Sequence, residues 1–266
     1  MKTLNNNKTI PLLGYGTYGL GTKEVETALE IGYRSIDTAH GYNNEKEVGQ
    51  AIKNSAIPRE QIFVTTKVTN GGQRENNVAA EFEKSLENLG LDYVDMYLIH
   101  WPVKESYVRT WLDFEKIYES GRAKSIGVSN FQIYHFKELQ KISKIVPAMN
   151  QVELHPYLTQ KPLCEYCKIT GIAIQAWSPL GAGKANLQND QVLLDIAQTH
   201  NKTAAQIILR WNVQQNIITI PKSGNKERTK LNFEIFDFEL TQQEMAQIDA
   251  LNKDMRTGAS PDNFTF

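Results

Sequence analysis

Several features that would narrow the role of this chain are missing or scarce. It has only two cysteines, Cys164 and Cys167, in the run C-E-Y-C. A redox dithiol or half of a zinc site could use that spacing, but no second such pair is present and no thioredoxin-like strand precedes it. KPLCEYCKITG reads instead as a helix, where positions three apart simply share a face. The pair is read as structural, and no metal site is expected. No stretch approaches the roughly 18 apolar residues of a membrane span. The opening MKTLNNNKTIPLL lacks the long apolar core of a secretory signal, so a cytoplasmic location is expected. Neither sign of charge is in excess: 29 basic and 30 acidic residues are interleaved and leave a net −1. That balance offers nothing to nucleic acid or to an anionic membrane.

Linkers, low-complexity tracts and charge blocks are absent too, so one domain over residues 1–266 is expected. What the chain does have is strand and helix in alternation. LNNNKTI suggests a small N-terminal hairpin, with Asn6 and Asn7 suited to positive φ in the turn. Then apolar runs such as YRSIDTAH, IFVTTKV, VDMYLIH, AKSIGVSN, PAMNQVEL and IAIQAWSPL each precede a helical pattern. Gly32, Gly90, Gly121 and Gly171 stand where helices should stop. Thr241 and Glu244 form a capping box that opens a last, additional helix. The count is eight strand–helix units, which imply parallel strands under helical cover. With no separate substrate domain, the expected fold is α/β: a (β/α)8 TIM barrel with an N-terminal β-hairpin and an extra C-terminal helix. About 250 residues is the usual size of such a barrel.

Three successive strands end in groups that packing does not need. Asp37 closes YRSIDTAH, Lys67 closes IFVTTKV and His100 closes VDMYLIH, while Tyr42 lies just beyond the first run. Catalytic groups collect at this rim of parallel barrels. A free phenol, with a pKa near 10, is a poor proton donor at neutral pH. Lys67 beside Tyr42 would lower it by favouring the phenolate, with Asp37 holding the ammonium in place. His100 could donate a hydrogen bond to a substrate oxygen. Each residue has a plainer reading as a cap, rim aromatic, snorkelling amine or stacked ring. Four together on consecutive strand ends favour proton delivery to a carbonyl oxygen.

Gly14-x-Gly16-x-x-Gly19 supplies a rival. It follows a strand and precedes a helix, and Asp37 lies about 20 residues on, as in a Rossmann dinucleotide site. Against this, helical periodicity begins only near Lys23, too late for a helix N-terminus to hold a pyrophosphate. That reading also leaves Tyr42, Lys67 and His100 without a common purpose.

The runs LGYGTYGLG, YRSIDTAHGYNNEKEVG, TTKV, LIHWP, IGVSNF, NQVELHP, AWSPL and IPKS, in this order, resemble the aldo-keto reductase superfamily over nearly the whole chain. The likeness is to microbial members that reduce small aldehydes and ketoaldehydes. It implies a barrel that binds an extended nicotinamide cofactor, NADPH, with Asp37, Tyr42, Lys67 and His100 as the catalytic tetrad and Tyr42 as general acid. His100 points to carbonyl rather than double-bond reduction, since steroid double-bond reductases of this kind carry Glu there. Ser129, Asn130 and Gln151 would hold the nicotinamide carboxamide and Trp177 would stack on the ring. Thr17, Ser178 and Leu180 would touch ribose and phosphates. Lys222, Ser223 and Arg228 resemble the adenosine 2′-phosphate site, whose cations and hydroxyl suit a phosphate dianion. Asn232 matches an adenine contact, whereas Leu231 stands where many members have Glu. Tyr18, Trp101 and His100 would line an apolar substrate pocket, with Phe264 and Phe266 reaching over it. The loop from Trp101 to Tyr107 and the tail from Thr257 look shorter than in steroid-handling members, which implies an open pocket for small aldehydes or ketones. A monomer is expected. A regulatory subunit that binds NADPH without turnover is the alternative from another functional class, although such lines tend to lose the tetrad.

Overall fold

The computed structural model describes residues 1–266. The chain starts with an antiparallel hairpin, β1 (Lys2–Thr3) and β2 (Thr9–Ile10). Only Asn7 of the two expected turn residues takes positive φ, at 64°. Asn6 instead donates its amide to the Lys124 carbonyl (3.1 Å) and Ser125 Oγ (3.0 Å), fastening the hairpin to the barrel floor.

Eight parallel strands follow: β3 (Tyr15–Gly16), β4 (Ser35–Asp37), β5 (Phe63–Val68), β6 (Met96–Ile99), β7 (Ile126–Ser129), β8 (Met149–Glu153), β9 (Ala173–Trp177) and β10 (Ile218–Thr219). Each pairs with its sequence neighbours, and the ends meet. Leu13 bridges Thr219 in the parallel sense, and the Gly14 and Gly16 amides donate to the Thr219 and Pro221 carbonyls at 2.9 and 3.2 Å. The sheet is therefore a closed barrel. The Rossmann alternative is overturned here, because no open doubly wound sheet exists and the glycine run is a seam between barrel strands. A Cβ on Gly14 would meet Ser35 Oγ at 2.9 Å and Ile220 Cγ2 at 3.0 Å, so glycine serves close strand approach.

The helices are α1 (Thr22–Ile31), α2 (Glu45–Asn54), α3 (Asn70–Arg74), α4 (Val78–Leu89), α5 (Tyr107–Glu119), α6 (Ile133–Leu139), α7 (Lys161–Ile169), α8 (Gln191–His200), α9 (Ala204–Gln214), α10 (Lys226–Phe233) and α11 (Gln242–Asp249). Their sequence periodicity is what buries them. In α4, Val78, Phe82, Ser85, Leu86 and Leu89 fall on one buried stripe, and the four apolar ones enter the main core between helices and sheet. Gly32 ends α1 at φ 124°, where an L side chain would be strained and would also strike the Phe233 ring. The Thr241–Glu244 box opens α11 as expected. α3 had no sequence signal, since NGGQR is a weak helix former. It exists because Thr69 Oγ1 accepts from the Gly72 amide at 2.9 Å and caps it.

A second, smaller core decides where a site can open. Leu4 and Ile10 of the hairpin pack against Phe63, Met96, Met149, Ala173 and Ile218, the first residues of five strands. The hairpin plugs the N-terminal mouth, which leaves the rim at the strands' C-terminal ends. Cys164 and the buried Cys167 lie in α7, and burial pushes both thiols up to about 12, far from a reactive thiolate. No helix is long and apolar enough to cross a membrane, and no three His, Cys, Asp or Glu side chains converge as a metal site would need.

Candidate active site

The C-terminal rim gathers the four strand-end residues. Asp37 ends β4, Lys67 is the penultimate residue of β5, and His100 follows β6 directly. Tyr42 ends a single 3-10 turn, His40–Tyr42, that leaves β4. Lys67 has no exposed surface and donates to Asp37 Oδ1 (2.5 Å) and to the Thr38 carbonyl (2.8 Å). Its ammonium lies 5.0 Å from the centre of the Tyr42 ring. The His100 ring stands 5.6 Å from that of Tyr42, nearly perpendicular at 71°. Tyr42 and His100 keep partial solvent access, so a cleft opens onto the pair.

Burial sets the protonation states. It would pull the Lys67 ammonium down, but the Asp37 carboxylate and the Tyr42 phenol outweigh it, and the pKa moves up. Lys67 is thus a fixed cation. For Tyr42 the expectation of a lowered pKa fails. Burial raises the phenol further than Lys67 lowers it, so the hydroxyl stays protonated. Burial, reinforced by the Lys67 charge, lowers His100 to about 3, leaving a neutral imidazole.

Across the barrel, the β7, β8 and β9 ends form a polar wall. Ser129 Oγ donates to the Gln151 carbonyl (2.8 Å), and Gln151 Nε2 donates to Asp37 Oδ2 (2.6 Å). Asn130, at φ 64°, gives Nδ2 to the His100 carbonyl (3.0 Å) and Ser129 Oγ (3.1 Å), and its Oδ1 accepts the Trp177 indole N–H (2.8 Å). Ser129, Asn130, Gln151 and Trp177 are therefore one contiguous group joined to Asp37. Ser178, at φ 46°, and Leu180 follow on the β9 rim, both half-buried. Thr17 is buried with its hydroxyl on the Asp37 carbonyl, 2.9 Å. Beyond β10 lie exposed Lys222, buried Ser223 and exposed Arg228, with Arg228 in the first turn of α10 and Asn232 buried in its second. Leu231 is 38% exposed.

The family model of the aldo/keto reductases matches residues 13–253. The chain belongs to this family. It is 52% identical to the 9,11-endoperoxide prostaglandin H2 reductase of Trypanosoma cruzi, over 98% of this chain and 95% of that one. It is 50% identical to the glyoxal reductase of Bacillus subtilis, over 99% and 96%. A Bombyx mori aldo-keto reductase, solved in complex with NADP, superposes with a TM-score of 0.90 at 37% identity, over 98% of this chain and 95% of that one.

On the outer lip of the rim, Tyr18 is 67% exposed and sits edge-on to Tyr42 at 5.0 Å between ring centres. Trp101 is almost buried beneath Phe264 and Phe266, at 5.1 and 5.2 Å. The tail is held by Glu153, which ends β8. Its carboxylate accepts from the Thr257 amide and hydroxyl, both 2.6 Å, and from the Gly258 amide. Gly258 lies so near the Trp177 ring that an added Cβ would come within 2.5 Å.

Sequence reasoning missed Glu153, and it missed Asn44 and Glu45, which hold the Tyr42 turn. Asn44 donates to the Thr17 and Leu20 carbonyls (2.7 and 2.9 Å). Buried Glu45 accepts from Thr66 Oγ1 (2.7 Å) and Asn88 (3.1 Å) and pairs with His40 (2.9 Å). The signal available was adjacency, since N-N-E directly follows Tyr42.

Proposed function

We propose that this aldo/keto reductase converts small aldehydes, ketoaldehydes or ketones to alcohols with NADPH, using Tyr42 as general acid. One observation carries the reading: a protonated, partly accessible phenol beside a fully buried ammonium that Asp37 keeps charged. Tyr42 would pass its proton to the substrate oxygen, and Lys67 would stabilise the phenolate left behind. His100, neutral across the physiological range, would give a hydrogen bond to the same oxygen without competing for the proton. Bound NADPH supplies the hydride from nicotinamide C4.

The chain's own residues fit that cofactor. Lys222 and Arg228 are exposed and have no carboxylate partner within the protein, and they flank the start of α10, where main-chain amides add positive potential. Together with Ser223 they suit a 2′-phosphate, which favours NADPH over NADH. Ser129, Asn130 and Gln151 would hold the carboxamide, Trp177 would cover the ring, and Thr17, Ser178, Leu180 and Asn232 would line the remainder. Tyr18, Trp101 and His100 would meet the substrate. The named activity of the Bacillus subtilis relative supports small dicarbonyl and aldehyde substrates. The reading treats the protein as a cytoplasmic monomer.

The test is a substrate panel at fixed NADPH, with methylglyoxal, aromatic aldehydes and sugar-derived ketones, followed by loss of NADPH absorbance. Steady consumption with at least one small aldehyde is expected. Tight NADPH binding with no consumption across the panel would replace the reductase by a non-catalytic binder.

A further inference from the structure

We propose that Gln175, on the inner wall of the barrel, is a positioning residue. It locks the plane of the Gln151 amide so that an acceptor faces the cleft, and the site thereby selects a ligand that brings an N–H. The inference rests on the NADPH reading above.

Gln151 and Gln175 are register partners on β8 and β9, and both side chains are buried. Gln151 Nε2 donates twice, to Asp37 Oδ2 on the opposite wall and to Gln175 Oε1, each at 2.6 Å. A primary amide has two hydrogens, so both are used. Gln151 Oε1 receives no donor from the protein, yet it is not among the buried polar atoms that lack a partner, so it keeps contact with the cleft. Asp37 decides which end of the amide faces inward, because a carboxylate only accepts. One anchor would still let the amide swing about that bond. The second, on Gln175, fixes its plane and aims Oε1. Gln175 keeps this role at a cost to itself, since its own Nε2 is buried with no partner. An apolar residue there would avoid that orphan, so the retained benefit is the carbonyl it offers Gln151.

An acceptor aimed at the cleft complements the carboxamide NH2 of a nicotinamide. The 3-acetylpyridine analogue of NADP keeps the ring, the carbonyl and the phosphates but carries a methyl group in place of that NH2. The experiment measures dissociation constants of NADP and of this analogue, by quenching of tryptophan fluorescence, for wild type, Gln175→Leu and Gln175→Glu. Wild type should prefer NADP by about tenfold, the consequence of leaving one buried acceptor unpaired. Gln175→Leu should cut that preference to about threefold or less. Gln175→Glu, which restores an oxygen opposite Gln151 Nε2, should return it towards the wild-type ratio. Should the Leu variant be insoluble, Gln175→Met makes the same deletion with a longer chain. A purely structural role would weaken both ligands alike, and an unchanged ratio in Gln175→Leu overturns the proposal. A wild type that does not discriminate refutes the carboxamide assignment of Gln151, and the proposal with it, while leaving Tyr42 chemistry to the substrate panel.

Discussion

The two ends of the proposed site handle positive charge in opposite ways. At the chemical end, Lys67 is wholly enclosed, and its ammonium is paired with Asp37 and the Thr38 carbonyl. At the far end, Lys222 and Arg228 are exposed and form no salt bridge. A buried ion without a partner is costly, so the chemical end has to be complete before any ligand arrives. An exposed cation is already hydrated and can exchange water for a phosphate, so the anchoring end is left open. The first region is preorganised by the fold, and the second is completed by what binds.

The largest effect should come from the preorganised end. Tyr42→Phe removes the acid and leaves the packing of its ring, so kcat should fall by at least about 100-fold, within the usual range for general acid catalysis. NADPH affinity should stay near the wild-type value. A variant that keeps more than a few per cent of turnover would make another group the principal acid.

Stability should divide the two ends as sharply as activity does. Lys67→Met strands the Asp37 carboxylate in the barrel and should cost about 3–5 kcal/mol, the typical penalty for breaking a buried pair. Arg228→Ala, at an exposed and unpaired site, should stay within about 0.5 kcal/mol of wild type. Urea unfolding of both variants decides this, and similar midpoints would erase the distinction between the two regions.

The open end should reveal itself in cofactor choice. Lys222→Ala and Arg228→Ala each remove one charge-assisted contact, worth about 1.5–3 kcal/mol, so NADPH binding should weaken roughly 10- to 100-fold. NADH lacks the 2′-phosphate and should bind almost unchanged. Equal losses for both cofactors would take the phosphate away from this loop.

How much of this was readable in advance follows from where the information lies. The eight strand–helix units could be read because helix faces and glycine stops are local patterns, as in α4 with Gly90. The strand-end positions of Asp37, Lys67 and His100 were local as well. The contacts that support them were not: Gln151 reaches Asp37 across 114 residues, and Glu153 reaches Thr257 across 104. Gln175 in AIQAW looks like a single outward polar residue until the barrel closes and turns it inward. The direction of the Tyr42 shift was hidden for a related reason. A lysine near a phenol can be guessed from strand order, but the depth of burial that outweighs its charge exists only in the folded chain.

The smallest effect concerns acid, and its sign follows from His100. Folded His100 takes a proton only near pH 3, whereas its ordinary value is 6.5. Between those values the unfolded chain binds more protons than the folded one, so this residue's contribution to stability is complete above about pH 6.5 and declines as the pH falls toward 3. His135, lowered by burial to about 4, acts in the same direction, while His40, raised by Glu45, acts in the opposite one. His100→Gln should therefore lose less melting temperature than wild type between pH 7 and pH 5, since one of the opposing groups is gone. An equal loss in both proteins would mean that His100 takes up its proton as readily in the folded chain as in the unfolded one, which would make it a rival to Tyr42 as proton donor in mild acid.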